Sequence, residues 1–241
     1  MYILRKFIIL SVLVLFLASP AFGRNMGFLA EEADGSPAGY VYKLIVNNGS
    51  LSISSNVGTL TVDTAIVYKT IYIDAGAMVP CTTNGAQFGT HEYGTNDIDL
   101  DYYAFDGGAT EERVQFKMPM PAAWDRGTIK VKFFWSSATA STADDTCQWG
   151  IKGQAFSNSD PIDAAFADGG EVIGDVLLAA NGTDWQLSAA TPAVTIGGSP
   201  ALGDMIIFEI WRDTSVDNMA EDAWLFGALI QYKESNTEAA W

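Results

Sequence analysis

Asp97, Asp99 and Asp101 carry the most suggestive chemistry in this 241-residue sequence. In an extended strand they fall on one face, with Ile98 and Leu100 on the other. Carboxylates aligned in this way repel one another unless water or a cation lies between them, and calcium is the cation that such oxygen ligands take outside the cell. The EF-hand pattern starts at Asp97 and then fails. Tyr102 stands where that loop needs glycine, and Gly108 where it needs the closing glutamate. Acids left in water along a sheet edge, where they block pairing with another chain, account for the same spacing. Asp144 and Asp145 form a second, weaker acidic spot.

Other chemistry is thin. His91 is the only histidine, so a serine–histidine–acid triad would have to use it, and no Gly-x-Ser-x-Gly turn is present to supply the serine. A zinc site would need His91, Cys81 and Cys147 to converge. With 29 acidic residues, no carboxylate pair is singled out for glycoside hydrolysis. The sequence therefore reads as a non-enzyme with no cofactor expected, calcium at the aspartate row being the one candidate. Tyr102, Tyr103, Phe105, Trp124, Trp185 and Trp211 fall in loops or on faces opposite the expected core. Of these, Tyr103, Trp124 and Trp211 are the candidate ligand-binding residues, where a sugar ring would stack. Core packing accounts for aromatics equally well, and Phe134 and Trp211, apolar where alternation calls for polar, would also suit a subunit interface.

The elements that must position these residues are strands. Ile129, Val131, Phe133 and Trp135 alternate with Thr128, Lys130, Lys132 and Phe134, the signature of a half-buried strand. Val114, Phe116 and Met118 alternate in the same way until Pro119 and Pro121 end the ladder. Trp149 and Ile151, the run Glu171–Leu178, and Val194 and Ile196 add further strands. Residues 205–212 and 224–233 are apolar on both faces, as in a central strand or one covered by a partner. Asp160-Pro161-Ile162-Asp163 opens like a short helix, with an N-cap aspartate and proline at the first helical position. Turn signals recur with no βαβ rhythm. The expectation is an all-β, antiparallel, jelly-roll-like sandwich with one short crossover helix.

The N-terminus points to export. Arg5 and Lys6 precede an apolar run from Phe7 to Ala18, and Ala21 and Gly23 offer small residues for cleavage, so residues 1–23 read as a signal peptide. The run is too short to span a bilayer, so no stable membrane insertion is expected after cleavage. Residues 24–38 then form a flexible leader, 39–68 an N-terminal β-region, 69–235 the sandwich and 236–241 a tail. Removing 1–23 takes away Arg5 and Lys6 and no acid, moving the net charge from −16 to −18. A field of that sign repels phosphate backbones and argues against nucleic-acid partners. In an exported chain two cysteines suggest a Cys81–Cys147 bridge, which would stabilise the fold by roughly 4 kcal/mol in the chain-entropy account. Two unpaired buried thiols are the alternative, because spacing does not establish proximity.

Several blocks together resemble a known group. They are Ile73-Asp74-Ala75-Gly76-Ala77-Met78-Val79-Pro80 with Thr82-Thr83-Asn84-Gly85-Ala86, then Glu112–Phe116 leading to Trp124, Gly127–Trp135, Asp163–Phe166 and Gly203–Asp213. The group comprises β-rich, virion-type structural proteins of tailed bacteriophages and environmental relatives, of the appendage or fibre kind, and the likeness spans about residues 70–233. It implies a non-enzymatic structural protein that self-associates in a virion or an extracellular assembly as a homo-oligomer, with no catalytic residues to carry over. The signal peptide departs from that pattern, since virion parts assemble in the cytoplasm. The other reading is an exported carbohydrate-binding or adhesive β-sandwich with a glycan partner, located in the periplasm, at the cell surface or outside the cell.

Overall fold

A computed structural model describes residues 66–108, 110–178 and 184–235, together with four short strands nearer the N-terminus. The expected signal peptide, most of the expected leader and the tail 236–241 lie outside the described residues. The chain divides into two compact units, Met1–Ala65 and Ile66–Trp241. In the first, β1 (Phe28–Ala30) pairs antiparallel with β2 (Gly39–Val41). There too, β3 (Gly49–Ser54) pairs with β4 (Val57–Val62).

The second unit contains β5 (Tyr68–Asp74), β6 (Val79–Pro80), β7 (Gln87–Tyr93), β8 (Ile98–Phe105), β9 (Arg113–Pro119) and β10 (Lys130–Ser137). It continues with β11 (Thr146–Phe156), β12 (Glu171–Val176), β13 (Gln186–Leu187), β14 (Ile196–Gly197), β15 (Met205–Arg212) and β16 (Ala223–Lys233). One sheet runs β13-β10-β16-β8-β7, with β5 also on β16; the other runs β12-β11-β15-β9-β6, with β14 beside β11. All pairings between these strands are antiparallel except β11 with β14. Apart from the hairpins β7–β8 and β11–β12, and the step from β14 to β15, successive strands lie in opposite sheets. That repeated crossing makes the sandwich a jelly roll.

Alternation builds the core. Val131, Phe133 and Trp135 of β10, Phe105 of β8 and Leu225, Ala228 and Ile230 of β16 point inward from the first sheet, all fully buried. Val114 and Phe116 of β9, Trp149 and Ile151 of β11 and Ile206, Phe208 and Ile210 of β15 meet them from the second. Trp149 takes an edge-on contact with Phe105 at 5.1 Å between ring centroids and lies 5.8 Å from Phe133. The Trp135 indole N–H donates to Asp175 Oδ2 at 2.7 Å, which satisfies a buried donor.

Arg212, at the end of the inward row of β15, is fully buried. Its Nε and Nη2 donate to Asp217 at 2.7 and 3.3 Å. Nη1 donates to the carbonyls of Phe105 at 3.0 Å and Glu221 at 2.7 Å, and Nη2 also to that of Met219. One guanidinium thus ties the β15–β16 connection to the end of β8.

Two sequence expectations are corrected here. Residues 160–166 form no helix; among the described residues the only helical turn is the 3-10 turn Ala75–Ala77. The Asp160 carboxylate accepts from Ser157 N at 2.8 Å, closing a turn behind it, and Ile162 points into solvent at 86% exposure. Seven residues without a buried apolar face do not overcome the cost of helix nucleation. Cys81 and Cys147 are both free thiols. Cys147 faces the core from β11, whereas Cys81 follows β6, with its Sγ 3.9 Å from the outward-facing Glu209. With β15 and β9 lying between β11 and β6, the two cysteines stand about 14 Å apart across the sheet, twice the span of a bridge.

Candidate functional site

A competition for one sheet edge shapes a concavity in the second unit. Along one side, β16 pairs with β10 from Ala223 to Gln231, with one break in register. Along the other, Ala223–Leu225 pair with β8 and Gly227–Lys233 with β5. Continuing the β8 register past Leu225–Tyr103 would set Asp101 opposite Gly227, but Asp74 of β5 holds that place. The β7–β8 hairpin therefore parts from β16 beyond Tyr103, and a fork opens between β8 and β5. Phe226 sits at the fork as the extra residue of a bulge against β10, where the register shifts between Phe134 and Trp135. Gly227 is needed beside it: the first side-chain carbon of any other residue would fall 2.5 Å from the Tyr72 hydroxyl and 2.6 Å from the Ile73 carbonyl oxygen.

The fork holds a groove of about 500 Å³. Tyr72 and Asp74 form one wall, Thr90, Asp99, Leu100 and Asp101 the other, and Trp185 and Phe226 the floor. Trp185, which precedes β13, is half exposed and lies parallel to Phe226, with centroids 4.7 Å apart at 4°. Phe134 touches both the floor and one wall, 5.7 Å from Trp185 and 5.7 Å from Tyr72. A second hollow of about 300 Å³ continues from Leu100, Trp185 and Phe226 to Tyr93, Ile98, Ser136 and Asp184. Tyr102 stacks on Trp224 at 4.0 Å, and His91 lies against Trp224 and Tyr93, at 5.1 and 4.6 Å.

The groove carries negative charge without a counter-charge. Neither hollow is lined by lysine or arginine, and no ion pair among the described residues involves Asp74, Asp99 or Asp101. Asp74 Oδ1 accepts from Gly76 N at 2.9 Å. The Tyr72 hydroxyl lies 3.3 Å from Asp74 Oδ2 and 3.2 Å from the Phe226 carbonyl. Burial first, and then the nearby Asp74 charge, push the Tyr72 hydroxyl up to about 12, so it stays a donor at neutral pH.

The sequence-predicted site residues are placed as follows. Asp99 and Asp101 share a face of β8 and reach the groove. Asp97 precedes the strand with φ 52°, in the left-handed region, so the expected row of three is a row of two. Among the described residues, no three His, Cys, Asp or Glu side chains converge as a metal-holding group. Tyr103 and Trp124, expected as stacking platforms, are 3% and 2% exposed, and the Tyr103 hydroxyl donates to the Met78 carbonyl at 2.9 Å.

Trp211 is likewise covered. It lies flat over Gly150, with Lys152 Nζ 5.3 Å from its ring centre. Lys152 also pairs with Glu209 Oε1 at 2.8 Å and sits 4.9 Å over Phe166. Burial of Glu209 opposes its ionisation, but hydrogen bonds from Lys152 and Gln115 and the charges of Lys152 and Arg113 outweigh it and hold the carboxyl below its usual range. The apolar outward residues Phe134 and Trp211 thus have their covers within the chain. Tyr72, Asp74 and Phe226 were not singled out by the sequence. An outward tyrosine between the inward Ile71 and Ile73 was the available signal.

Fold and groove together define an antiparallel jelly-roll sandwich with an aromatic, acidic cleft at the fork in one sheet. No protein-family model matches the chain, and no curated protein matches it. Among solved structures, the chain is similar to an arabinose-bound α-L-arabinofuranosidase, at 12% identity and a TM-score of 0.37, over 64% of this chain and 23% of that one. It is also similar to a family 35 carbohydrate-binding module from Cellvibrio japonicus, at 9% identity and a TM-score of 0.39, over 70% of this chain and 99% of that one. A family 27 carbohydrate-binding module described for specific mannan recognition gives 9% identity and a TM-score of 0.40, over 69% and 98%.

Proposed function

We propose that this chain is an exported carbohydrate-binding β-sandwich that holds a glycan in the fork between β5 and β8. One observation carries the reading: half-exposed Trp185, parallel to Phe226, shares a groove with Tyr72 and the carboxylates of Asp74, Asp99 and Asp101. Aromatic faces stack on the C–H face of a sugar ring, and carboxylates accept strong hydrogen bonds from its hydroxyls. The two hollows, about 500 and 300 Å³, fall in or near the range of small-ligand sites and together suit more than one sugar unit. The outer rows of β15 and β16, which made a self-associating assembly protein attractive, are largely covered within the chain, so the glycan reading comes first.

Glycan-array screening followed by calorimetry tests it. A saturable oligosaccharide ligand is expected, weakened at least tenfold by Trp185→Ala and unchanged by Trp211→Phe. No binding across neutral, acidic and amino-sugar glycans, with or without calcium, would remove the proposal.

A further inference from the structure

Resting on the glycan-binding reading, we infer that the groove selects sugars bearing a protonated amine, such as the glucosamine units of a deacetylated amino-sugar polymer. Because Asp74 takes the place opposite Gly227 that the β8 register would give to Asp101, the two carboxylates are driven to either side of one turn. A side-chain carbon at Gly76 would lie 3.2 Å from Asp74 Oδ1 and 3.0 Å from Asp101 Oδ2, so both oxygens converge on that position. Asp99 follows on the same face of β8. The partners of Asp74 are a neutral amide and a neutral phenol.

Like charges crowded on an aromatic-walled groove repel, and an ammonium group between them relieves the repulsion. Tyr72, 46% exposed, and Trp185, 51% exposed, add ring faces that attract the same cation. The carboxylates face one another across the groove with no three of them converging among the described residues, which suits an organic ammonium better than calcium with its six to eight oxygens. The adjoining hollow, walled by Tyr93, Ile98 and Leu100, offers apolar surface to the ring of the next sugar.

Calorimetry with three tetrasaccharides of matched linkage, built from glucosamine, N-acetylglucosamine and glucose, tests the inference on the whole chain. The glucosamine tetramer is expected to bind about tenfold tighter than the other two, and its advantage to shrink as salt rises. Asp74→Asn and Asp101→Asn each reduce its affinity about three- to fivefold more than they reduce that of the neutral tetramers. Asp163→Asn, the same charge change on the exposed 157–170 connection, has no effect. Trp185→Ala weakens all three.

Equal binding of the three tetramers, with each groove variant affecting all three alike, would overturn the inference and leave the glycan reading standing. So would an Asp163→Asn effect as large as that of Asp74→Asn, which would mark attraction by the overall acidic charge. A neutral tetramer that binds only with calcium would assign the carboxylates to a metal and also overturn it. Failure of all three to bind, together with a blank glycan array, would remove both. Unfolding midpoints of each variant within 2 °C of the parent would confirm that the comparisons report binding.

Discussion

Replacing Arg212 by alanine should destabilise the sandwich by about 3–5 kcal/mol, the cost of leaving the partner of a buried ion pair unpaired. The structure accounts for the size. All five N–H donors of Arg212 are directed at acceptors, and none of its surface reaches water. Removal strands the Asp217 carboxylate, whose side chain is 2% exposed, together with three main-chain carbonyls in the same interior. Such a loss is a large share of the roughly 5–15 kcal/mol that holds a domain folded. Urea denaturation followed by tryptophan fluorescence is the assay. With a slope of about 2 kcal/mol per molar, the midpoint should fall by roughly 1.5–2.5 M. The double variant Arg212→Met, Asp217→Leu removes both charges and should recover more than half of the loss. A single-variant effect below about 1 kcal/mol, or a double variant worse than the single, would refute the clamp. Because Arg212 also grips the Phe105 carbonyl at the end of β8, the single variant should loosen the fork as well.

Gly227→Ala should cost about 1–3 kcal/mol by overpacking and displace Tyr72, which a loss of glycan affinity in a still-folded variant would report. Glu112 and Asp222 are raised above the usual carboxylate range, both by burial first; the Asp106 charge adds to the rise at Asp222, whereas at Glu112 a hydrogen bond from Asp106 N opposes it without cancelling it, so their contribution to stability is present at low pH and lost as the pH rises through their raised values. Glu112→Gln should therefore raise the unfolding midpoint at pH 7, with the gain vanishing near pH 4 or below. Glu209 has the opposite sign. Its stabilisation is present above the unfolded carboxylate range and lost as the pH falls through its lowered value, so Glu209→Gln should flatten the acid limb of the stability profile. Thiol titration of the non-reduced, denatured protein should count two thiols. In the native state Cys147, buried and pushed far above its usual range, should resist alkylation, and a count of zero would restore the bridge.

The strands were legible where one face meets the core. Ile129 to Trp135 and Val114 to Met118 alternate strictly, and their inward residues are largely those that are buried. The doubly apolar runs mark β15 and β16, central in their sheets, because residues with neighbours on both edges and cover on both faces have little contact with water. The groove was only partly legible. Asp99 and Asp101 stood out by spacing, but Asp74 joins them through a register set between residues 74 and 227, which local periodicity does not encode. Tyr103 and Trp124 misled because a ring at a loop or strand end gives the same sequence signal whether it faces solvent or folds back under a neighbour. The segment at Asp160 has a helix opening without the apolar face that would hold a helix in place.

The most direct test of glycan binding in the fork is the two-dimensional NMR spectrum of the tryptophan indole N–H groups during titration with a binding oligosaccharide. The account predicts that the Trp185 signal shifts progressively to saturation, with a smaller response from Trp224, while Trp124, Trp135, Trp149 and Trp211 stay in place. A saturable shift centred on Trp211 or Trp124, with Trp185 unmoved, would contradict it.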